Sequence, residues 1–445
     1  MSTDKKLRPP VRDAILQSLR AGVVPRVGQQ HIQVGRIDEV KALLSDIERI
    51  SDGGSGIRFV IGEYGSGKTF FLHLVRSIAL EKKLVTVHAD LTPDRRLHAS
   101  GGQARGLYQE LMRNLSTRSK PEGGALSSVV ERFVTTALSE AKAQGITPEA
   151  AIHSRLAELS EMVGGYAFAD VIAAYWRGYD SGDDTLRTSA VRWLRAEFTT
   201  KTDAKKALGV RTIIDDASIY DHLKLFARFV RIAGYGGLLV CVDELVNLFK
   251  LPSGQARRSN YEQILRILND SLQGSSCGMG MLLGGTPEFL MDPRRGLYSY
   301  EALQGRLAEN SFAKEGLVDF DGPVLSLPNL SQEDLFVLLQ KICRVHSNGG
   351  ENGEAMNDEV IHAFMDYSMR TVGSAYYRTP RKTITAFVKL LSVLEQNPEA
   401  SWRQVLERDP ITEDHNPDIV GSGQADSPVD SGAGGDDDDL SSFKL

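Results

Sequence analysis

Apolar residues recur along this chain in two registers. Five short runs are nearly continuous: IRFVIG (Ile57–Gly62), LVTVHAD (Leu84–Asp90), GLLVCVDE (Gly237–Glu244), GMGMLLGG (Gly278–Gly285) and PVLSLPNLS (Pro323–Ser331). Runs of that length bounded by turn residues predict strands buried on both faces. Elsewhere apolar positions return at helical spacing. VRDAILQSLRAG and IDEVKALLSDIERI read as two helices in the first 50 residues, separated by a Pro/Gly-rich bend. Between Gly102 and Gly234 the pattern is almost wholly helical, as in GLYQELMRNL, LSSVVERFVTTALSEAKAQ and IYDHLKLFARFVRIAG. It turns helical again from Gln332 to about Trp402. Buried strands separated by helices predict an α/β fold, a parallel five-stranded sheet with helices on both faces. The expected organisation is a helical segment at 1–50, a core at 51–320 with a helical insertion at about 100–235, a small helical domain at 321–408, and a tail at 409–445. The tail is Gly, Ser, Pro, Asn and Asp with little to bury, and is expected to be disordered.

Composition adds modest bounds. The 445 residues suffice for two domains, and 41% hydrophobic with 25% charged residues is the profile of a globular protein with a full core. The net charge of −6 misleads, because residues 411–445 carry nine acidic side chains against Lys444, which leaves the rest near +2. A near-neutral body neither demands nor excludes nucleic acid. Cys241, Cys277 and Cys343 are far apart and have neither metal-ligand nor disulfide spacing. With no apolar run near the roughly 18 residues of a membrane span and no leader pattern, a cytoplasmic protein without a membrane partner is expected.

The sharpest chemical signal is GEYGSGKT, Gly62–Thr69. It fits G-x-x-x-x-G-K-[ST], follows a predicted strand and opens a predicted helix, the context in which the motif denotes a phosphate loop. Gly65 and Gly67 let backbone N–H groups turn inward around phosphates at a helix N-terminus. Lys68 reaches the β- and γ-phosphates, and the Thr69 hydroxyl ligates Mg²⁺. The binding segment expected for ATP is therefore Gly62, Glu63, Tyr64, Gly65, Ser66, Gly67, Lys68, Thr69 and Phe70. GLLVCVDE supplies what such a loop needs next. Asp243 at the strand end can hold the Mg²⁺, and Glu244 can act as general base toward the attacking water, which points to hydrolysis. Alone, the pair could also be an ordinary strand end. Thr286, at the tip of the next strand, can contact the γ-phosphate or the lytic water, or simply cap the following helix. In YYRTPRKTITAFVKLL, Thr379 can N-cap and Pro380 can open a helix, which puts Arg381 in its first turn. A cation is unfavourable there unless it faces an anion. A γ-phosphate would serve, and the alternative is a solvated basic face shared with Arg378 and Lys382.

The order of phosphate loop, helical insert, Asp-Glu strand, polar-tipped strand, arginine segment and helical domain with Pro-Arg resembles AAA+-type P-loop ATPases. VGRIDEV (Val34–Val40) resembles the GR-x-x-E entry of origin-recognition-type members. That likeness implies that Val34, Gly35 and Arg36 flank the adenine, and that the C-terminal helices form a lid. Longer stretches narrow the likeness: GEYGSGKTFFL, SAVRWLRAEF followed by ALGV, GYGGLLVCVDELVNLFK, GGTPEFLMDPRRGLYSYEALQGRL and RTPRK. Together, over roughly Val11 to Leu394, they resemble the ATP-binding proteins of bacteriophage exclusion (BREX) systems, the BrxD-like family. The resemblance implies an ATPase in a phage-defence island, working beside proteins that modify or remodel DNA. It also gives Arg306, in EALQGRL, the place of an arginine finger that reaches the next subunit's nucleotide in a homo-oligomer. The local alternative is a cation stabilising its own helix C-terminus. Arg294 and Arg295 are expected to clamp their loop or meet a partner's acids.

Two features are weaker. RRSNYEQILRILND (Arg257–Asp270) could touch DNA, or be an amphipathic helix with Ile264, Leu265, Ile267 and Leu268 toward the core. The acidic tail ending GGDDDDLSSFKL could dock another defence protein through its apolar tip, or merely solvate the chain. The leading reading is an Mg²⁺-dependent ATPase that assembles or remodels a DNA-associated defence complex. A nucleotide-gated scaffold with little turnover and a DNA translocase or helicase are the competing ones.

Overall fold

The computed structural model describes residues 7–310, 312–313, 319–347, 358–372 and 380–406. Five parallel strands form one sheet: β1 (Gly56–Ile61), β2 (Val85–Asp90), β3 (Leu238–Asp243), β4 (Met279–Gly285) and β5 (Val324–Ser326). Their order is β2-β3-β4-β1-β5, with every pairing parallel. All residues of β1, β3 and β4 are buried, as their unbroken apolar runs require. β5 is far shorter than its apolar run. Pro323 and Pro328 bracket it, and neither has an N–H to donate to a ladder.

The two-residue period of a strand assigns each face of the sheet its own helices. On one face Ile57, Phe59 and Ile61 of β1 join Leu238, Val240 and Val242 of β3. The insertion covers them with α4 (Gln103–Arg113), α5 (Leu126–Gln144), α6 (Pro148–Arg155), α7 (Gly165–Ser181), α8 (Asp184–Leu194), α9 (Lys201–Leu208) and α10 (Ile219–Ile232). Side-chain caps set three of these starts: Thr147, Asp183 and Thr200 each accept from a backbone N–H three residues on. On the opposite face Val60, Leu239, Cys241 and Leu282 pack against α2 (Ile37–Ser51) and α3 (Lys68–Glu81). Asp243 is in phase with Leu239 and Cys241, so it belongs to the α3 face.

After β3 come the short α11 (Val246–Phe249) and α12 (Gly254–Leu272). Tyr261, Ile264, Ile267 and Leu268 of α12 are buried and Leu265 is half-buried, so the amphipathic alternative for this stretch is the one realised. After β4 come α13 (Pro287–Met291) and α14 (Glu301–Leu307), and after β5 come α15 (Gln332–Ser347), α16 (Asp358–Val372), α17 (Pro380–Gln396) and α18 (Trp402–Leu406). These last four share a core with α1 (Pro9–Arg20), in which Ile15 and Leu19 meet Leu339, Ile342, Phe364, Phe387 and Leu391. Arg12 of α1 donates to the His346 carbonyl from Nε (2.9 Å) and Nη2 (2.6 Å). The first 50 residues thus divide, with α1 on the C-terminal helices and α2 on the sheet. The acidic tail lies outside the described residues.

One charge sits inside β1. Arg58 forks onto Asp46 of α2, Nε to Oδ2 at 2.6 Å and Nη2 to Oδ1 at 3.1 Å, with side-chain exposures of 6% and 7%. Its Nη1 donates to the Phe320 and Gly322 carbonyls that lead into β5. A two-pronged pair with its remaining donors satisfied is the geometry in which burial of two charges is tolerated. Removing one partner leaves the other uncompensated. Asp46→Ala is expected to lower stability by roughly 3–5 kcal/mol, read as a shift in the urea midpoint. Adding Arg58→Met should recover part of that loss, and a double variant no more stable than Asp46→Ala would contradict this account.

Candidate functional site

The site is assembled at the C-terminal ends of β1 and β3, where a parallel sheet leaves a crevice. The chain leaves β1 through Gly62–Gly67 and enters α3 at Lys68, with Gly65 at φ 79° and Gly67 at φ 90°. A Cβ built on Gly67 would meet nothing within 4 Å, because it would point into the open cradle of the loop. Lys68 Nζ donates to the Gly62 and Glu63 carbonyls, both at 2.8 Å. The Ser66 hydroxyl is buried in the loop without a protein partner.

Thr69 Oγ1 donates to Asp243 Oδ2 at 2.8 Å, across from α3 to β3. The other carboxylate oxygen, Oδ1, accepts from the Glu244 N–H at 2.9 Å. Strand alternation alone would send Glu244 to the insertion side of the sheet. Its backbone instead turns into the left-handed region at φ 60°, uncommon for a residue with a side chain. Glu244 is exposed and lines the same cleft as Lys68. Such backbone strain concentrates where a side chain must be re-aimed.

The cleft runs from the phosphate loop to the C-terminal helices. Val23, Val24, Pro25, Gln33 and Val34 from the N-terminal bend line it with Arg36, Tyr64 to Phe70, Glu244, Leu330, Leu338, Pro380, Arg381 and Ile384. Of the residues expected from sequence, Val34, Arg36, Tyr64, Gly65, Ser66, Gly67, Lys68, Thr69, Phe70, Glu244 and Arg381 therefore share one cavity. Arg36 explains the spacing of its motif. It caps the start of α2 at φ 62°, pairs with Glu39 (Nη1 to Oε1, 3.6 Å) and donates from Nη2 to the Ser66 carbonyl at 3.3 Å. Burial lowers its pKa, while Glu39 and then Asp334 act to raise it. Gly35 passes so close to Asp334 of α15 that a Cβ would lie 3.1 Å from its carboxylate. Lys341 of α15 donates to the Gln33 carbonyl, so the bend is tied to that helix.

Other expected residues lie apart from the cavity. Thr286 Oγ1 accepts from the Phe289 N–H at 3.4 Å and caps α13. It follows β4, which runs between β1 and β3, so its buried hydroxyl sits between the phosphate-loop strand and the Asp243 strand. Arg306 is exposed on α14, which Leu303 and Leu307 anchor, and Nη1 donates to the Ala302 carbonyl of its own helix at 2.7 Å. Arg295 donates to the Phe249 and Leu251 carbonyls (3.1 and 3.3 Å) and stacks over the Phe249 ring, which clamps its loop. Thr379 and Arg378 lie outside the described residues.

Sequence reading missed Asp90, at the tip of β2 and in register with Asp243. Its pKa is raised by loss of hydration first and by the Asp243 charge second, against the pull of Arg95. Behind the Thr69–Asp243 contact, His73 and His88 meet edge-on at 5.9 Å beside the buried Arg76. Burial, then the Arg76 charge, pushes the two imidazoles down to about 4 and about 3, so both are neutral near pH 7.

The model of one family, described as BREX system ATP-binding protein BrxC/D, matches residues 7–410. The chain belongs to that family. A search of curated proteins and of solved structures finds no significant match. Membership in the BrxC/D family makes this an ATP-binding protein of a BREX-type system, on a P-loop, AAA+-like fold with a helical insertion and a C-terminal helical region. Among the described residues, no helix is long and apolar enough to cross a membrane.

The residues present fit a nucleotide. The open side of Gly67, the orphaned Ser66 hydroxyl and Lys68 form a cradle with donors and a cation for phosphate oxygens. A hydroxyl and a carboxylate in mutual contact, Thr69 and Asp243, form a hard-oxygen pair suited to Mg²⁺. No group of three His, Cys, Asp or Glu side chains able to hold a metal exists among the described residues. Completing such an ion's shell with water and phosphate oxygens is the usual Mg²⁺ arrangement.

Gly284 of β4 gives this pair its room, since a Cβ there would lie 2.2 Å from Asp243 Oδ1. Gly284→Ala should force the carboxylate away from Thr69 and weaken the Mg²⁺ dependence of nucleotide binding by roughly 10–100-fold, the usual scale for losing support of a metal ligand. Magnesium titrations of a fluorescent nucleotide check this, and an unchanged midpoint would count against the assignment.

Proposed function

We propose that this protein is an Mg²⁺-dependent ATPase, acting in the cytoplasm, that couples nucleotide binding and hydrolysis to the assembly or remodelling of a DNA-associated defence complex. The observation that carries the reading is the convergence on one cleft of Lys68, Thr69, Glu244 and Arg381, with Asp243 bonded to Thr69 behind it. Lys68 and the loop N–H groups hold the β- and γ-phosphates. Thr69 and Asp243 hold Mg²⁺, which when bound neutralises phosphate charge and polarises the bond to be broken. Glu244, aimed at the cleft by its left-handed backbone, accepts the proton of the attacking water. Arg381 reads the γ-phosphate from the lid. Thr286, whose cap leaves its own hydroxyl proton unused, donates to the water or the γ-oxygen between the two strand tips.

Turnover measurements decide the hydrolytic assignment. Lys68→Ala and Glu244→Gln should each reduce ATP turnover at least 100-fold, in keeping with removal of a charge-stabilising or general-base group. Glu244→Gln should still bind ATP. Full turnover in either variant would remove that residue from the machinery.

Arg306 supports an oligomer. It is exposed, stands on an anchored helix and lies outside its own chain's cleft, which leaves it free to serve the nucleotide of a neighbouring copy. A finger donated in this way can be worth roughly 10³–10⁵ in rate. Mixing inactive Arg306→Ala with inactive Lys68→Ala should restore part of the turnover, because mixed rings pair an intact loop with an intact finger. No recovery would leave Arg306 a local residue.

A further inference from the structure

The variable positions of the phosphate loop do more than space its glycines. Tyr64, third in GEYGSGKT, accepts from Arg381 Nη1 on its hydroxyl at 3.0 Å, and the guanidinium lies over its ring, 5.2 Å from the centroid. One position earlier, Glu63 Oε2 accepts from Asn329 Nδ2 at 3.1 Å, in the segment between β5 and α15. Two consecutive loop side chains thus hold the C-terminal part of the chain. The Arg381 stem is confined as well. A Cβ built on Gly22, in the bend after α1, would lie 3.6 Å from Arg381 Cγ.

This grip answers a local difficulty. Arg381 sits in the first turn of α17, where the helix dipole disfavours a cation. The negative face of an aromatic ring and a phenolic oxygen offset that, and they fix the plane of the guanidinium. Tyr64 engages one of the five N–H donors of that group. Both residues line the cavity that contains Lys68 and Glu244.

We propose that Tyr64 is the positioning residue for Arg381, holding its guanidinium at the phosphate end of the cleft so that the protein distinguishes a nucleoside triphosphate from a diphosphate. This rests on the nucleotide reading above and adds a residue to it. Tyr64 acts through Arg381, so removing either should erase the same discrimination, and removing both should cost no more than removing one.

The test is calorimetric titration of the full chain, in Mg²⁺, with ADP and with a slowly hydrolysed ATP analogue. Wild type should prefer the analogue. Arg381→Ala and Tyr64→Leu should each reduce that preference about tenfold, the scale of one charge-assisted contact, by weakening the analogue more than ADP. The double variant should match the singles, and Tyr64→Phe, which keeps the ring, should retain most of the preference. The proposal is overturned by an unchanged ratio in Tyr64→Leu, by equal weakening of both ligands, by multiplicative losses in the double variant, or by a wild type without preference. If wild type prefers the analogue but Arg381→Ala leaves the ratio intact, this inference falls together with the γ-phosphate role of Arg381, and the rest of the nucleotide reading stands. If wild type binds neither, the nucleotide reading falls with it.

Discussion

The contact between the Thr69 hydroxyl and the Asp243 carboxylate joins two segments 174 residues apart, and the geometry of the cleft follows from what allows it. β4 runs between β1 and β3, so the loop and the carboxylate must meet across the tip of an intervening strand. Adjacent strands stand about 4.8 Å apart, which puts β1 and β3 nearly 10 Å from each other. Thr69 bridges that distance because α3 crosses over the same face of the sheet on which Asp243 points. Asp243 can lean toward it only where β4 presents no side chain, at Gly284. A cluster of apolar contacts fixes α3 on that face, with Phe71, Leu72 and Val75 against Leu239, Cys241 and Leu282. The hydrophobic register of the strands therefore sets the chemistry at their ends.

The second half of the cleft depends on packing that runs the length of the chain. α1 is separated from α15 and α17 by more than three hundred residues in sequence, yet it shares their core, donates from Arg12 to the His346 carbonyl of α15, and accepts at the Leu19 carbonyl from Thr385 of α17. Val34 and Phe70 pack on the edge of this same cluster. The bend between α1 and α2 is therefore held by the C-terminal helices through Lys341 and Asp334, and by the phosphate loop through Arg36. The bend thus stands in contact with both the C-terminal helices and the loop. Discrete coupled contacts of this kind give a nucleotide leverage on distant parts of a protein.

Much of this was legible in the residues. Near-continuous apolar runs are specific to buried parallel strands, and four of the five fall within a residue or two of the observed bounds. The phosphate loop and Asp243-Glu244 were visible because their chemistry requires fixed residue types at fixed spacing. Three things were not. The shortness of β5 came from prolines whose missing N–H groups act only once a ladder is attempted. The place of α1 depended on partners such as His346, 334 residues downstream of Arg12, that no local pattern identifies. The Tyr64–Arg381 and Glu63–Asn329 contacts occupy positions that the motif leaves unspecified, and only the folded chain brings those side chains together. The Arg36–Glu39 pair is the intermediate case, since a three-residue spacing at a helix start already allows an ion pair.

The charge pattern around the strand tips bears on the proposed cation site. Asp90, Asp243 and Glu244 end two adjacent strands, and the pKa of Asp90 is raised by loss of hydration first and by the Asp243 charge second. Behind them the protein supplies little positive charge. Arg76 is buried, with Nε and Nη1 unpaired, and it acts across the cavity without forming an ion pair among the described residues. His73 and His88, which could have added charge, are kept neutral by burial first and by that same guanidinium second. Lys68 lies on the other side, against loop carbonyls. The cleft side differs, since Arg36, Lys68 and Arg381 line it against Glu244. The unmatched negative charge is thus confined to the strand tips. A doubly charged ion seated on Thr69 and Asp243 would neutralise those carboxylates and the phosphates from a single point, where α3 and β3 bring an oxygen pair together.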